Sequence, residues 1–274
     1  LSSSYTVQLT AAEAAFLFQL MDISEGEAWF KIYEANEERG KEIPPEQRYA
    51  PIAKGLEDAG LLAMEGREII LDVVLLELLN SCKYSSAVTI LRSCTAQGQS
   101  SITYGFISGT QVIEMKWSSE TGEVLLTALE EGLETFVSRM GDNLLLPDVE
   151  EQSGRISMER ETLNRLVYQL SHPDDKMLQS ILQNDQIAQA SSPLFPALME
   201  ACASARQQGT FEAVIRGTEL RSATVYYIGS PQGNWLFIQD AERDLAQGYP
   251  VTEPEFIQTV YLITTRTLSA LTPN

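Results

Sequence analysis

The chain holds one histidine, His172, so any imidazole chemistry must run through it. A lone histidine beside a carboxylate can serve as a general base, and Asp174 and Asp175 lie just beyond it. His172 also precedes Pro173 at an expected helix end, where a cationic ring favours the dipole; a capping or solvated role fits that position better. No serine or cysteine near it carries a nucleophile-elbow or papain-like pattern. A histidine-based transition-metal site needs further imidazoles or paired thiols, and Cys82, Cys94 and Cys202 have no CxxC spacing. Neighbouring carboxylates at Glu37-Glu38, Glu130-Glu131, Glu150-Glu151 and Asp174-Asp175 are the types that bind calcium or cleave glycosides. They fall in charged loops or on exposed helix faces, where solvated surface is the better reading. No GxGxxG and no Walker lysine loop is present. The expectation is a chain without catalytic residues, metal or cofactor, and not an enzyme.

The elements around these residues follow from apolar spacing. Thr10 and Glu13 form a capping box that starts a helix, read over 9–21, with Ala14, Phe16, Leu17 and Leu20 on its apolar side. Trp29, Phe30 and Tyr33 form an aromatic patch, and Pro44-Pro45 breaks the chain. A helix over 49–59 ends at Gly60. A turn at Glu65-Gly66-Arg67 leads to a helix over 69–82. Strands follow at 87–91, 101–107 and 111–117, with a fourth at 123–127. Their turns are Ser108-Gly109-Thr110 and Ser118–Gly122. Helix 128–140 closes this half.

The same order returns in the second half. A helix over 156–171, a helical segment 174–190 bounded by prolines and a helix over 198–207 precede strands at 210–215, 221–228 and 234–239. A final helix starts at the Thr252–Glu255 box and carries Phe256, Val260, Ile263, Thr267 and Leu271. Val225 lies 121 residues after Tyr104, and Trp235 lies 123 after Val112. Leu166 lies 149 after Leu17, so the first half has the longer insert before its strands. Short hairpin connections require antiparallel strands, and a meander flanked by helices is an α+β layer. We expect an α+β fold of two pseudo-repeated units, 1–145 and 146–274, whose meanders join into one central sheet about a pseudo-twofold axis.

Composition narrows the partners. With 38 acidic against 19 basic residues the formal charge is −19. Phosphate backbones and anionic membranes demand clustered Lys and Arg, so neither nucleic acid nor membrane is expected. No apolar run reaches the length of a membrane span. Leu1–Tyr5 has no basic region or signal-peptide core, and unpaired thiols suit a reducing compartment. The expected location is cytoplasmic. Exposed strand edges are compatible with a monomer or a homodimer.

One passage carries a family resemblance. Gly55–Leu62 (Gly-Leu-Glu-Asp-Ala-Gly-Leu-Leu), then Glu65-Gly66-Arg67, then Asp72 leading into Leu75–Leu79, resembles the first half of the EspG family. The Trp117 strand end, the strand-to-helix passage 127–140 and the internal duplication fit the same layout. The resemblance implies a cytosolic, non-enzymatic chaperone of type VII (ESX) secretion, with an antiparallel sheet, helical bundles and a pseudo-twofold axis. It implies a helical secreted partner, either a PE–PPE heterodimer or a WXG-type helical hairpin protein. By position rather than by motif, the candidates for partner contact are Ser108, Gly109, Thr110, Trp117, Ser118, Thr121 and Gly122. Two other classes stand beside this reading. One is a regulator with a winged helix over 49–79, which an acidic surface there would remove. The other is a ligand sensor with a cavity between sheet and helices.

Overall fold

The structure, a computed structural model, describes residues 5–25, 45–66, 68–142, 144, 146–171, 194–216, 222–240 and 244–269. His172, Asp174, Asp175, Glu37, Glu38, Trp29, Phe30, Tyr33, Arg67, Leu271 and the expected helix 174–190 lie outside the described residues.

By its contacts the chain separates into two compact units, Leu1–Val88 with Thr103–Leu133, and Thr89–Ile102 with Glu134–Asn274. In chain order the first elements are β1 (Thr6–Thr10), α1 (Ala11–Leu20), α2 (Pro45–Asp58), β2 (Leu62–Glu65), β3 (Glu68–Leu71) and α3 (Val73–Lys83). The first meander is β4 (Ala87–Thr95), β5 (Ser100–Ser108), β6 (Gln111–Ser118) and β7 (Glu123–Leu129), followed by α4 (Gly132–Asp142). Then come β8 (Ile156–Glu159), α5 (Arg160–Ser171) and α6 (Leu194–Ala203). The second meander is β9 (Gln207–Ile215), β10 (Ser222–Gly229), β11 (Asn234–Asp240) and β12 (Leu245–Val251), and α7 (Glu253–Ser269) closes the chain.

Ten strands form one antiparallel sheet in the order β1-β7-β6-β5-β4-β9-β10-β11-β12-β8, and β2 pairs with β3 alone. Matching β1 with β8, β7 with β12, β6 with β11, β5 with β10 and β4 with β9, the order reads the same from either end. This is the α+β fold that the duplicated sequence implies, with a single sheet. At its middle, Arg92 of β4 donates to Glu212 of β9 across 2.9 Å. The two positions are 120 residues apart, the same step that separates the starts of β4 and β9 (207 − 87 = 120). Each is thus the counterpart of the other, with opposite charge.

Caps and cross-strand packing set the element ends. The Thr10 hydroxyl accepts from Glu13 N at 3.2 Å while the Glu13 carboxylate accepts from Thr10 N at 2.8 Å. Thr252 and Glu255 repeat this at the start of α7. In the first unit, Leu17, Phe18 and Phe106 are buried together, with the Phe18 and Phe106 rings 6.1 Å apart. In the second, Trp235 and Phe237 stack at 6.2 Å within a cluster that includes Leu163, Leu198, Cys202 and Ile228. Two glycines lie under aromatic rings of the neighbouring strand. Gly209 is registered with Tyr227, and Gly248 with Phe237. A Cβ at 209 would collide with the Arg92 carbonyl and stand 2.7 Å from the Tyr227 ring; one at 248 would stand 2.6 Å from the Phe237 ring.

Several element boundaries differ from those expected. The helices read over 9–21 and 156–171 each begin with a strand, because Thr6–Thr10 pairs with β7 and Ile156–Glu159 pairs with β12. Both are sheet edges, and their four or five residues are too few for alternation to stand out from an adjoining apolar helix. The helix read over 69–82 starts at Val73, where the Asp72 carboxylate accepts from Val74 N and Leu75 N; β-branched Ile69 and Ile70 pair instead with Met64 and Ala63. Pro45 opens α2 rather than ending a segment, as suits a residue whose missing N–H is unneeded in the first turn. Ala128 and Leu129 finish β7, so the following helix begins at Gly132. The helix read over 198–207 runs instead from Leu194 to Ala203, and Gln207 opens β9. β12 contains Gly248 and Pro250, and this low β propensity hid it. β5 is buried on both faces from Thr103 to Ile107, where alternation suggested one wet face.

Candidate functional site

The sequence-predicted contact residues occupy both ends of β6. Ser108, Gly109 and Thr110 form the exposed β5–β6 turn, with Gly109 at φ +60. Ser118 to Gly122 form the β6–β7 turn. There the Ser118 carbonyl accepts from Gly122 N at 2.8 Å, the Ser118 hydroxyl from Glu120 N and the Thr121 hydroxyl from Glu123 N, each at 3.2 Å. Gly122 takes φ +69, a left-handed backbone that suits glycine. Trp117 is 7% exposed and pairs with Val124, so its ring belongs to the interior beside this second turn. β6 has eight residues, which places the two turns about 25 Å apart. They do not converge on one point.

The first turn, however, borders a cleft of about 430 Å³ within the first unit. Helix α3 supplies one wall through Val74, Glu77, Leu78 and Ser81, the i, i+3, i+4, i+7 stripe of a single helix face. Thr110 and Gln111 stand at the opposite lip, and Ala128, Leu129 and Glu130 come from the end of β7. Tyr5, 41% exposed, closes the end next to β1. Leu78 and Leu129 are buried and give an apolar floor, whereas Glu77 and Glu130 are exposed. Gly132 holds the lip in place. At φ +60 its α-carbon packs so tightly on the Thr110 carbonyl that a Cβ has no room. Among the described residues, no Lys or Arg lines the cleft and neither carboxylate has an ion-pair partner.

This geometry suits noncovalent binding. Among the described residues, no group of three or more His, Cys, Asp or Glu stands close enough to hold a metal ion. Cys202 is buried, and that burial pushes its thiol up to about 12, so it is protonated and inert at neutral pH. Burial likewise pushes the Tyr227 phenol well above its ordinary value. From sequence Glu130 reads as solvated surface, and Val74, Glu77 and Ser81 do not stand out. The spacing of that stripe was a readable signal, but the cleft it faces is made by long-range pairing of β1 with β7.

Among solved structures, the chain is similar to the type VII secretion system chaperone EspG5 of Mycobacterium tuberculosis, seen in complex with a PE25–PPE41 dimer. The TM-score is 0.61, the sequence identity is 9%, and 96% of each chain is covered. At that identity the likeness is one of fold. No protein-family model and no curated protein matches the chain.

Proposed function

We propose that this chain is a non-enzymatic chaperone or adaptor of a type VII (ESX) secretion system, acting in the cytoplasm on a helical secreted protein. The partner is a PE–PPE-like heterodimer or a WXG-type helical hairpin. One observation carries the reading: the fold matches that of a type VII secretion chaperone over 96% of both chains. Other features are compatible with it. No helix among the described residues is long and apolar enough to cross a membrane. The exposed charged residues of the β2–β3 hairpin are Glu65 and Glu68 among those described. Exposed carboxylates at these two positions disfavour contact with phosphate there. The formal charge of −19 would keep an apolar helical cargo in solution by self-repulsion of the complexes.

In this proposal the exposed turn residues Ser108, Gly109, Thr110, Thr121 and Gly122 and the half-buried Ser118 are offered to the partner, and Trp117 supports the second turn from within. The test is co-purification of the tagged chain from its native cytosol, with bound proteins identified by mass spectrometry. Recovery of a small helical pair encoded near the chain's own locus is expected. Recovery of no helical secretion substrate, or of nucleic acid, overturns the reading.

A further inference from the structure

The duplicated fold shows what the cleft is shaped to hold. Counterparts follow from the local steps between the two halves: 120 in the helix before the strands (Cys82 and Cys202), 123 at β6 and β11 (Gln111 and Asn234), 122 at the ends of β7 and β12 (Leu129 and Val251) and 149 at α1 and α5 (Ala11 and Arg160). By these steps Val74 corresponds to Leu194, Tyr5 to Gly154, Glu77 to Ala197 and Glu130 to Thr252.

In the second unit the chain's own segment 146–154 touches that corner at two points. Asn234 donates its side-chain amide to the Pro147 carbonyl at 2.9 Å, and Leu146 is buried. Gly154, at φ +127, lies so close to Leu194 that a Cβ would stand 2.7 Å from its Cδ1. The counterparts of two cleft-lining residues thus touch this strap. The strap carries Asp148, Glu150 and Glu151, and the counterparts of Glu77 and Glu130 are the uncharged Ala197 and Thr252. In the first unit the same wall carries Glu77 and Glu130.

We infer that the first-unit cleft binds an extended segment of a partner protein in which apolar residues are flanked by Lys or Arg. The apolar floor of Leu78 and Leu129 takes the apolar side chains, and Ser81, Thr110 and Gln111 supply polar atoms for the strand's backbone, as Asn234 does for the strap. Glu77 and Glu130 reject an acidic strap and select a basic one. The inference shares Thr110 with the turns offered to the helical partner but does not rest on the chaperone reading, which follows from the fold likeness.

The test uses the full chain and two fluorescent peptides. One is residues 146–154 unchanged; the other carries Asp148→Lys, Glu150→Lys and Glu151→Lys. Anisotropy titration is expected to show binding of the basic peptide, weakening as salt rises, and none of the acidic one. Glu77→Lys with Glu130→Lys is expected to weaken the basic peptide about tenfold, as for ~1.4 kcal/mol, and to reverse the preference. Glu65→Lys with Glu68→Lys changes the net charge equally but lies on the β2–β3 hairpin, and is expected to leave binding within about twofold. Equal binding of both peptides, no binding of either, or equal loss in both double variants overturns the inference. Binding that appears only after removal of residues 1–4 also overturns it, because those residues then compete for the cleft.

Discussion

The corner between α3 and β6 in the first unit and the corner between α6 and β11 in the second are built on one plan and finished in opposite ways. Both place one face of a helix beside the start of the third strand from a sheet edge, near the entry to the edge strand. In the second unit, the stripe Leu194, Ala197, Leu198 and Ala201 is apolar throughout, and Gly154 of the segment from Leu146 to Gly154 packs on Leu194. In the first, Val74, Glu77, Leu78 and Ser81 mix apolar and polar groups and border an open cleft. The framework residues, Leu78 with Leu198 and Cys82 with Cys202, are buried in both. A repeat therefore keeps what holds the helix to the sheet and is free to change what covers it.

Substitutions at paired positions can break this comparison. The largest effect is expected at Trp235, 1% exposed within the second unit's cluster. Trp235→Ala should cost about 3–5 kcal/mol in denaturant unfolding, with a smaller loss for Val112→Ala at the counterpart. A loss below about 1 kcal/mol would mean the covered corner is not packed as described. The swap Ala197→Glu puts a carboxylate against the apolar cluster and should cost about 1–3 kcal/mol. The reverse swap, Glu77→Ala, should move stability by no more than about 0.5 kcal/mol. Equal losses would erase the distinction between a filled corner and an open one.

Two smaller effects sharpen the picture. Cys202 rises from 9.0 to about 12 on folding because burial disfavours its thiolate. The folded state therefore holds its proton longer than the unfolded state. That contribution to stability is complete below about pH 9 and is lost as pH climbs toward about 12. In native protein at pH 8, alkylation followed by mass mapping should label the half-buried Cys94 and spare Cys82 and Cys202 until denaturant is added. Ready labelling of Cys202 would contradict its burial. The smallest effect belongs to Arg92 and Glu212, whose side chains are 41% and 29% exposed. Arg92→Ala should cost less than about 1 kcal/mol, and the exchange Arg92→Glu with Glu212→Arg should restore the loss.

The fold was legible where residues act locally. Thr10–Glu13 and Thr252–Glu255 marked helix starts, alternating Tyr104 and Phe106 marked a strand, and the similar steps of 121 from Tyr104 to Val225 and 123 from Val112 to Trp235 pointed to a repeated order of strands. The edges were not legible. β1 and β8 run straight into helices, and only pairing with β7 and β12 distinguishes them from a helical first turn. The contact turns were found as turns, but the sequence does not reveal that the eight residues of β6 hold them apart. The cleft was hidden for a related reason: Glu77 and Glu130 are ordinary surface acids until long-range pairing places α3 beside the end of β7.

The central claim is that this fold holds a helical secreted partner. The most direct measurement is the mass of a reconstituted complex by analytical ultracentrifugation, using the 30.4 kDa chain and the helical pair encoded nearest to it. The account predicts a single species whose mass is the sum of one chain and one helical pair, with no self-associated pair remaining. Independent sedimentation of the chain and the pair would contradict it.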